Sequence, residues 1–178
     1  MITDDKTIIR AIRERTEVGF KLLMQKYKQP VYWHIRWLVV SHDNAQDAAQ
    51  NVSIRIFRSF DQLSDDRKFR GWLFRISTNE ALRQIAIRRP CQEALEMDES
   101  TINSIMTDAY VDYTQAESIK LQKAILTLPT KQQIVFNLRY YNELSYDEIA
   151  EATASTPSAA KMNYHLAKEK TIKYINSD

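Results

Sequence analysis

The chain has 178 residues, 44% of them apolar, with 25 Lys and Arg against 23 Asp and Glu. That size and balance fit a soluble protein of one ordinary domain or two small ones. Two glycines exclude a Gly-rich phosphate loop, and one cysteine, Cys91, excludes an internal disulfide framework or a cysteine-built metal site. So few glycines also argue against a sheet protein, which needs turn glycines, and for helices joined by short polar loops.

No apolar run is long enough to span a membrane. The greasiest stretch, "VYWHIRWLVV", is interrupted by His34 and Arg36. The N-terminal "MITDDKTIIRAIRERTE" is charged and lacks the apolar core of a signal peptide, so a cytoplasmic, reduced protein is expected. The net charge of +2 hides an asymmetry. Residues 18–90 carry 13 basic and 6 acidic side chains, whereas residues 91–117 carry 7 acidic and no Lys or Arg. Such blocks suggest two domains and a linker, and the basic block suits a polyanion. The alternative is a solvated surface with chance clustering.

In chain order, "VGFKLLMQKYKQ" places Phe20, Leu23, Met24 and Tyr27 at helical spacing. Pro30 is read as the first residue of a second helix bearing Tyr32, Ile35 and Leu38 or Val39 on one side. Ser41 or Asp43 is expected to cap the next, with Ala45, Ala48, Ala49, Val52, Ile56 and Phe60 as its apolar stripe. "DQLSDDR" reads as a polar loop. "KFRGWLFRISTNEAL" then opens a helix running to about Arg89, where Pro90 stops it. Phe69, Leu73, Ile76 and most of Trp72 are expected inward, with Phe74 and Ala81 turned to a neighbouring helix. Lys68, the edge of Trp72, Arg75 and Asn79 recur at i, i+4, i+7 and i+11 as one polar stripe. Residues 91–116 read as an acidic linker with a short helix near Ile102–Met106. Helicity resumes near Ala116. Pro129 breaks it, and Thr130 is expected to cap "KQQIVFNLRYYN".

"LSYDEIAEATASTPSAAKMNYHLAKEK" follows. Ser145 and Glu148 have capping-box spacing; after "ATAST", Thr156 can cap a second helix with Pro157 at its first position. Ala160, Tyr164 and Ala167 fall on the inner side of that helix. Ser158, Ala159, Lys161, Met162 and His165 fall on the outer side. This is a helix-turn-helix pattern whose outer side chains can reach base edges while Lys161 and Lys168 meet phosphates. The alternative is an ordinary helical hairpin. His34 and His42 have no metal-ligand spacing and read as core or solvated histidines.

Two blocks together carry a resemblance. "DAAQNVSIRIF" with "FRGWLFRISTN", then "AILTLPTKQQIVFNLRYYNELSYDEIA" ahead of the helix-turn-helix, resemble bacterial sigma factors of the extracytoplasmic-function class. The resemblance spans about residues 18–90 and 116–173. It implies an all-α fold of two small helical domains. Residues 1–90 would form sigma region 2, residues 91–116 the acidic linker and residues 117–178 sigma region 4.

The function so implied is promoter-specific transcription initiation, with no enzymatic activity and no cofactor. The implied partners are core RNA polymerase, through its clamp and flap, promoter DNA, and an anti-sigma factor, which in this family is often membrane-anchored. The chain is expected to be a monomer when free. Matching position by position, Asp47, Gln50, Asn51 and Arg55 fall on the helix that docks on the clamp. Ser64, Asp65, Asp66 and Arg67 fall on the loop that pockets a flipped base of the −10 element. Lys68, Trp72, Arg75 and Asn79 lie beside the melted strand. Ser158, Lys161, Met162, His165 and Lys168 face the −35 duplex. The chain departs from the family pattern at Asn51, usually acidic, at Ser53, usually Phe, and at Ala154, usually a turn glycine. Asn163 and Leu166 stand where Arg is frequent, so the recognition helix is less basic than usual. Two rival readings are a conventional helix-turn-helix regulator that binds duplex DNA without polymerase, and a helical protein-interaction adaptor.

Overall fold

The computed structural model describes residues 3–14, 17–39, 41–88 and 116–177. Among them there is no strand. Eight helices are formed: α1 (Asp5–Arg13), α2 (Glu17–Leu38), α3 (His42–Ser59), α4 (Phe69–Arg88), α5 (Ala116–Leu126), α6 (Thr130–Tyr140), α7 (Tyr146–Thr153) and α8 (Pro157–Asn176). The expected linker helix near Ile102–Met106, Cys91 and the stop at Pro90 lie outside the described residues.

Helices α1 to α4 form a bundle. Asp4 caps α1 by accepting from the Thr7 amide at 2.8 Å. Helix α1 is tied to α2 through Asp5 Oδ1, which accepts from Tyr27 Oη at 2.7 Å and Lys26 Nζ at 2.8 Å. The two helices cross closely because Gly19 is there: a Cβ at that position would lie 2.5 Å from the α1 backbone at Ala11 and Ile12.

Pro30 does not start a helix. It sits inside α2, which runs unbroken from Glu17 to Leu38. An interior proline forfeits one backbone hydrogen bond and costs roughly 3 kcal/mol. Offsetting it, Val31 and every residue from His34 to Leu38 are buried, so packing rather than propensity holds the second half of α2. Ser41 stands at the N-cap of α3, but its hydroxyl makes no capping hydrogen bond. "DQLSDDR" is more ordered than a simple loop: 3-10 turns at Phe60–Gln62 and Asp66–Lys68 flank the short bend between them. Thr130 is not a cap either. Pro129 takes the N-cap position of α6 and Thr130 is its first helical residue.

Helices α5 to α8 form a second bundle around Ile125, Leu128, Phe136 and Ala167. The two bundles also share a core. Ile134, Val135 and Leu138 of α6, Leu144, Ile149 and Ala152 of α7 and its approach, and Ala160 of α8 belong to one buried cluster with Leu23, Ile35, Val52, Leu73 and Phe74. Gln133 Nε2 donates to the Trp37 carbonyl at 3.1 Å. The Trp37 ring stacks on Tyr141, with 5.7 Å between centroids and 14° between planes.

Candidate nucleic-acid interface

Helix α4 has almost no net amphipathic direction because it is covered on several sides. Phe69, Leu73, Phe74, Ser77, Thr78 and Ala81 are buried. Phe74 meets the His34 ring edge-on at 5.6 Å, as its turn toward a neighbouring helix requires. Ile76 and Trp72 are half-buried, and Trp72 packs edge-on against Phe60 at 5.9 Å. Lys68, Arg75 and Asn79 are exposed along one line, with the free edge of Trp72 between them.

Just before α4, Asp65 organises the loop. Its Oδ1 accepts from the Arg67 amide at 3.0 Å and from Arg67 Nε at 3.1 Å. Those bonds hold the Asp65 carboxyl below the usual carboxylate range. Asp66 is paired with Arg13 of α1, and Arg13 also donates to the Leu63 carbonyl at 3.2 Å. Ser64 and Arg67 remain exposed. The loop is thus pinned at both ends while its tip faces solvent.

The four residues matched to clamp docking do not form one uniform surface. Asp47 and Gln50 are exposed on α3. Asn51 Nδ2 instead donates to Glu80 Oε1 at 3.2 Å, and Arg55 lies 3.5 Å from Glu80 Oε2. Arg83 completes the set with a 2.6 Å hydrogen bond to the same carboxylate. The Glu80 side chain is fully buried. Burial alone pushes its pKa up, but the hydrogen bonds from Arg83 and Asn51 and the charge of Arg55 outweigh it and hold the carboxyl low. Glu80 is the joint between α3 and α4 that the motif reading missed. Its only sequence signal was the i, i+3 spacing to Arg83.

At the other end of the chain, both halves of the capping box form. Glu148 N donates to Ser145 Oγ at 3.2 Å, and Ser145 N donates to Glu148 Oε2 at 2.7 Å. Helix α7 ends at Ala154, whose φ of 50° and ψ of 46° lie in the left-handed region. That is the position where a turn glycine is usual, and here a β-carbon occupies it. Thr156 then caps α8 by accepting from the Ala159 amide at 3.1 Å, with Pro157 in the first turn. Ala160 and Ala167 are buried, and Tyr164 is half-buried against Phe136, 5.8 Å between centroids. Ser158, Lys161, Met162, His165 and Lys168 are exposed together; Ala159 is partly covered. Asn163 turns back to the Ala159 carbonyl at 2.9 Å, so it adds no reach to this surface. His165 Nε2 lies 3.3 Å from Glu169.

An exposed helix N-terminal half presenting polar side chains, held against a capped partner helix, is the geometry of a major-groove reader. Sequence comparison decides its context. Residues 23–89 match the model described as Sigma-70 region 2, and residues 118–171 match Sigma-70, region 4. The chain belongs to the extracytoplasmic-function sigma factors. The SigW sigma factor of Bacillus subtilis is 27% identical over 173 residues, covering 92% of each chain. The sigma-E factor of Escherichia coli is 26% identical over 156 residues, covering 82% of this chain and 81% of its own. The fold agrees with that of CnrH, solved with the cytosolic domain of CnrY, at a TM-score of 0.74, 17% identity and 98% coverage of both chains. It also agrees with the sigma factor RpoE of Bartonella quintana, solved with the anti-sigma factor NepR, at a TM-score of 0.68 and 18% identity, covering 89% of this chain and 98% of that one.

As a sigma factor, this chain directs transcription initiation; the region 2 match falls on α2 to α4 and the region 4 match on α5 to α8. Among the described residues no helix is long and apolar enough to cross a membrane, and no cluster of His, Cys, Asp or Glu has the geometry of a metal site.

Proposed function

We propose that this sigma factor binds core RNA polymerase in the cytoplasm, melts the −10 element with α4 and the loop before it, and reads the −35 duplex with α8. The observation that supports this assignment is the coexistence, in one chain, of an exposed cationic and polar stripe on α4 beside the Trp72 edge and an exposed polar row on the second helix of a helix-turn-helix. A conventional helix-turn-helix regulator has use for the second but not for the first.

The chemistry fits each task. A melted strand exposes bases and phosphates; the edge of Trp72 offers a stacking face, and Lys68 and Arg75 offer charge. Asn79 offers both a donor and an acceptor to a base edge. Ser64 to Arg67 form a short rigid rim at the start of that stripe, suited to hold a base that has left the stack. Unstacking costs a few kcal/mol, which a preformed pocket must repay. On α8, Lys161 and Lys168 meet phosphates, while Ser158, Met162 and His165 face base edges. Asp47 and Gln50 on α3 face the polymerase clamp, with Arg55 and Asn51 set behind them by Glu80. Both solved structures of similar fold hold a protein partner, and in one of them a sigma factor is bound by an anti-sigma factor, so an anti-sigma factor is proposed here too.

Reconstitution with purified core polymerase and a promoter library tests this reading. Transcript starts above the core-only background, sharing two upstream elements, are expected. Polymerase binding without transcripts would favour an adaptor, and operator binding without polymerase would favour a conventional regulator. Within the same system, Arg75→Ala with Asn79→Ala should reduce promoter opening far more than core binding; equal loss of both would remove these residues from the strand.

A further inference from the structure

The exposed side of α8 is divided along its length into two flanks of different chemistry. On one flank Lys161, His165 and Lys168 stand at i, i+4 and i+7, all exposed. On the other, Ala159, Met162 and Leu166 stand at i, i+3 and i+7 and form a line of apolar side chains. The inner face, with Ala160, Ala167 and Thr171, is separate and buried, so the apolar line is no part of the core. Met162 is 58% exposed and Leu166 36%. Single exposed apolar residues are ordinary on a protein surface. Here they are aligned, and they border the residues that meet the duplex.

The side chains that tell bases apart most sharply by hydrogen bonding are missing from this surface. Arg grips guanine, and Asn or Gln grips adenine, each through two parallel hydrogen bonds. Helix α8 contains no Arg and no Gln. Its Asn163 is engaged within the helix: Nδ2 donates to the Ala159 carbonyl at 2.9 Å, which leaves the apolar line without a polar neighbour reaching over it. Asn176 closes the helix at its far end. Lys161 and Lys168 are point charges without a planar fork, and they suit phosphates better than base edges. What remains to meet the floor of a major groove is apolar. The apolar group that a base presents there is the C5 methyl of thymine.

We infer that the line of Ala159, Met162 and Leu166 reads thymine methyls in the −35 duplex, with Met162 as the principal specificity residue, while the flank of Lys161 and Lys168 holds the helix to phosphate. The inference rests on the reading of α8 as the duplex contact and names the feature of the duplex that α8 selects. Position favours this occupant. Met162 lies in the second turn after the Thr156 cap, at the end of a recognition helix that enters the groove, and the cations beside it suit a polyanion. A methionine is unbranched and polarisable, so it can follow a methyl through small changes of register. Such a contact discriminates modestly. One methyl is worth about fourfold in affinity, on the scale of one buried methylene, and a bidentate hydrogen-bonded pair is worth more. The −35 element of this factor is therefore marked by thymines and tolerant elsewhere.

The test uses the full chain assembled with core polymerase. Transcription from a promoter library first returns the −35 element. That element is then made with deoxyuridine in place of each thymidine, which removes the methyl and keeps the pairing. Competition between the two promoters reads methyl recognition. The wild-type holoenzyme is expected to prefer the thymidine promoter by about fourfold for each methyl contacted. Met162→Ala with Leu166→Ala should lose most of that preference, and Met162→Ala alone the larger part. Both positions are exposed and alanine is a good helix former, so the fold should persist. Lys161→Ala should weaken both promoters alike and keep the preference. An element without thymine, or equal binding of the two promoters by the wild type, would overturn the inference and leave α8 as the duplex reader. A preference that survives in the double variant would assign methyl sensing to another group or to duplex shape, and would overturn it as well. Weakened core binding by that variant with the preference intact would place the line against a protein instead. A library that returns no −35 element would sink the duplex reading of α8 itself, and this inference with it.

Discussion

Replacing Ala154 with glycine should stabilise this protein. Ala154 closes α7 with φ 50° and ψ 46°. In that region the β-carbon of an L-residue crowds the following carbonyl, at roughly 1–2 kcal/mol. Glycine adopts the same angles without that penalty. Against this, glycine loses more backbone freedom on folding, by about 0.4–1 kcal/mol relative to alanine. The Ala154 side chain is exposed, so removing its methyl gives up little buried surface. The balance is a gain of about 0.5–1 kcal/mol. For a chain of this size, 1 kcal/mol corresponds to about 2–4 °C in Tm, so Ala154→Gly should raise Tm by about 1–4 °C in scanning calorimetry. Transcription from a −35-dependent promoter should persist, because the backbone path into α8 is unchanged. A Tm equal to or below that of the wild type would refute the claim that the turn is strained.

Three further outcomes are expected. Gly19→Ala should lower stability by about 1–3 kcal/mol in urea titration, the range for overpacked contacts, because the added carbon meets the α1 backbone at 2.5 Å; an unchanged midpoint would mean that α1 is only loosely seated. His34 is buried, with Nε2 at 2.8 Å from Thr78 Oγ1, and burial lowers its pKa to about 3. Its folded pKa lies below the unfolded value, so its contribution is intact above about pH 6.5 and is lost as pH falls toward 3. Unfolding free energy should therefore drop by about 2 kcal/mol from pH 7 to pH 5, with that slope largely absent in His34→Gln; identical slopes would exclude His34 as its source. Lys161→Ala should weaken binding of the holoenzyme to −35 duplex and reduce the salt slope by about 1. An unaltered slope would remove Lys161 from the phosphate backbone.

The local devices were legible before any coordinates. The Ser145–Glu148 capping box, the Thr156 cap with Pro157, and the inward turn of Ala160 and Ala167 all follow from spacings of three or four residues, because helix geometry fixes which side chains are neighbours at those distances. The outward row of Ser158, Lys161, Met162 and His165 follows from the same geometry, as does the exposed line of Lys68, Arg75 and Asn79. The family resemblance added the order of the two regions, which periodicity alone could not supply.

The sequence by itself determined the all-α class, the course of most helices, the caps at Ser145 and Thr156 and the exposed rows on α4 and α8. Tertiary structure decided what those residues meet. Glu80 draws Asn51 from 29 positions away, and Arg70 meets Glu148 from 78 positions away. No local spacing encodes such pairs. Pro30 shows the same division: its local preference is to begin a helix, yet the burial of Val31 and His34 to Leu38 carries α2 through it. Backbone propensities act over a turn or two and amount to fractions of a kcal/mol for an ordinary residue and about 3 kcal/mol for an interior proline. Burial is summed over every element that packs, so where the two disagreed, at Pro30 and at the docking of α7 on α4, the packed core prevailed.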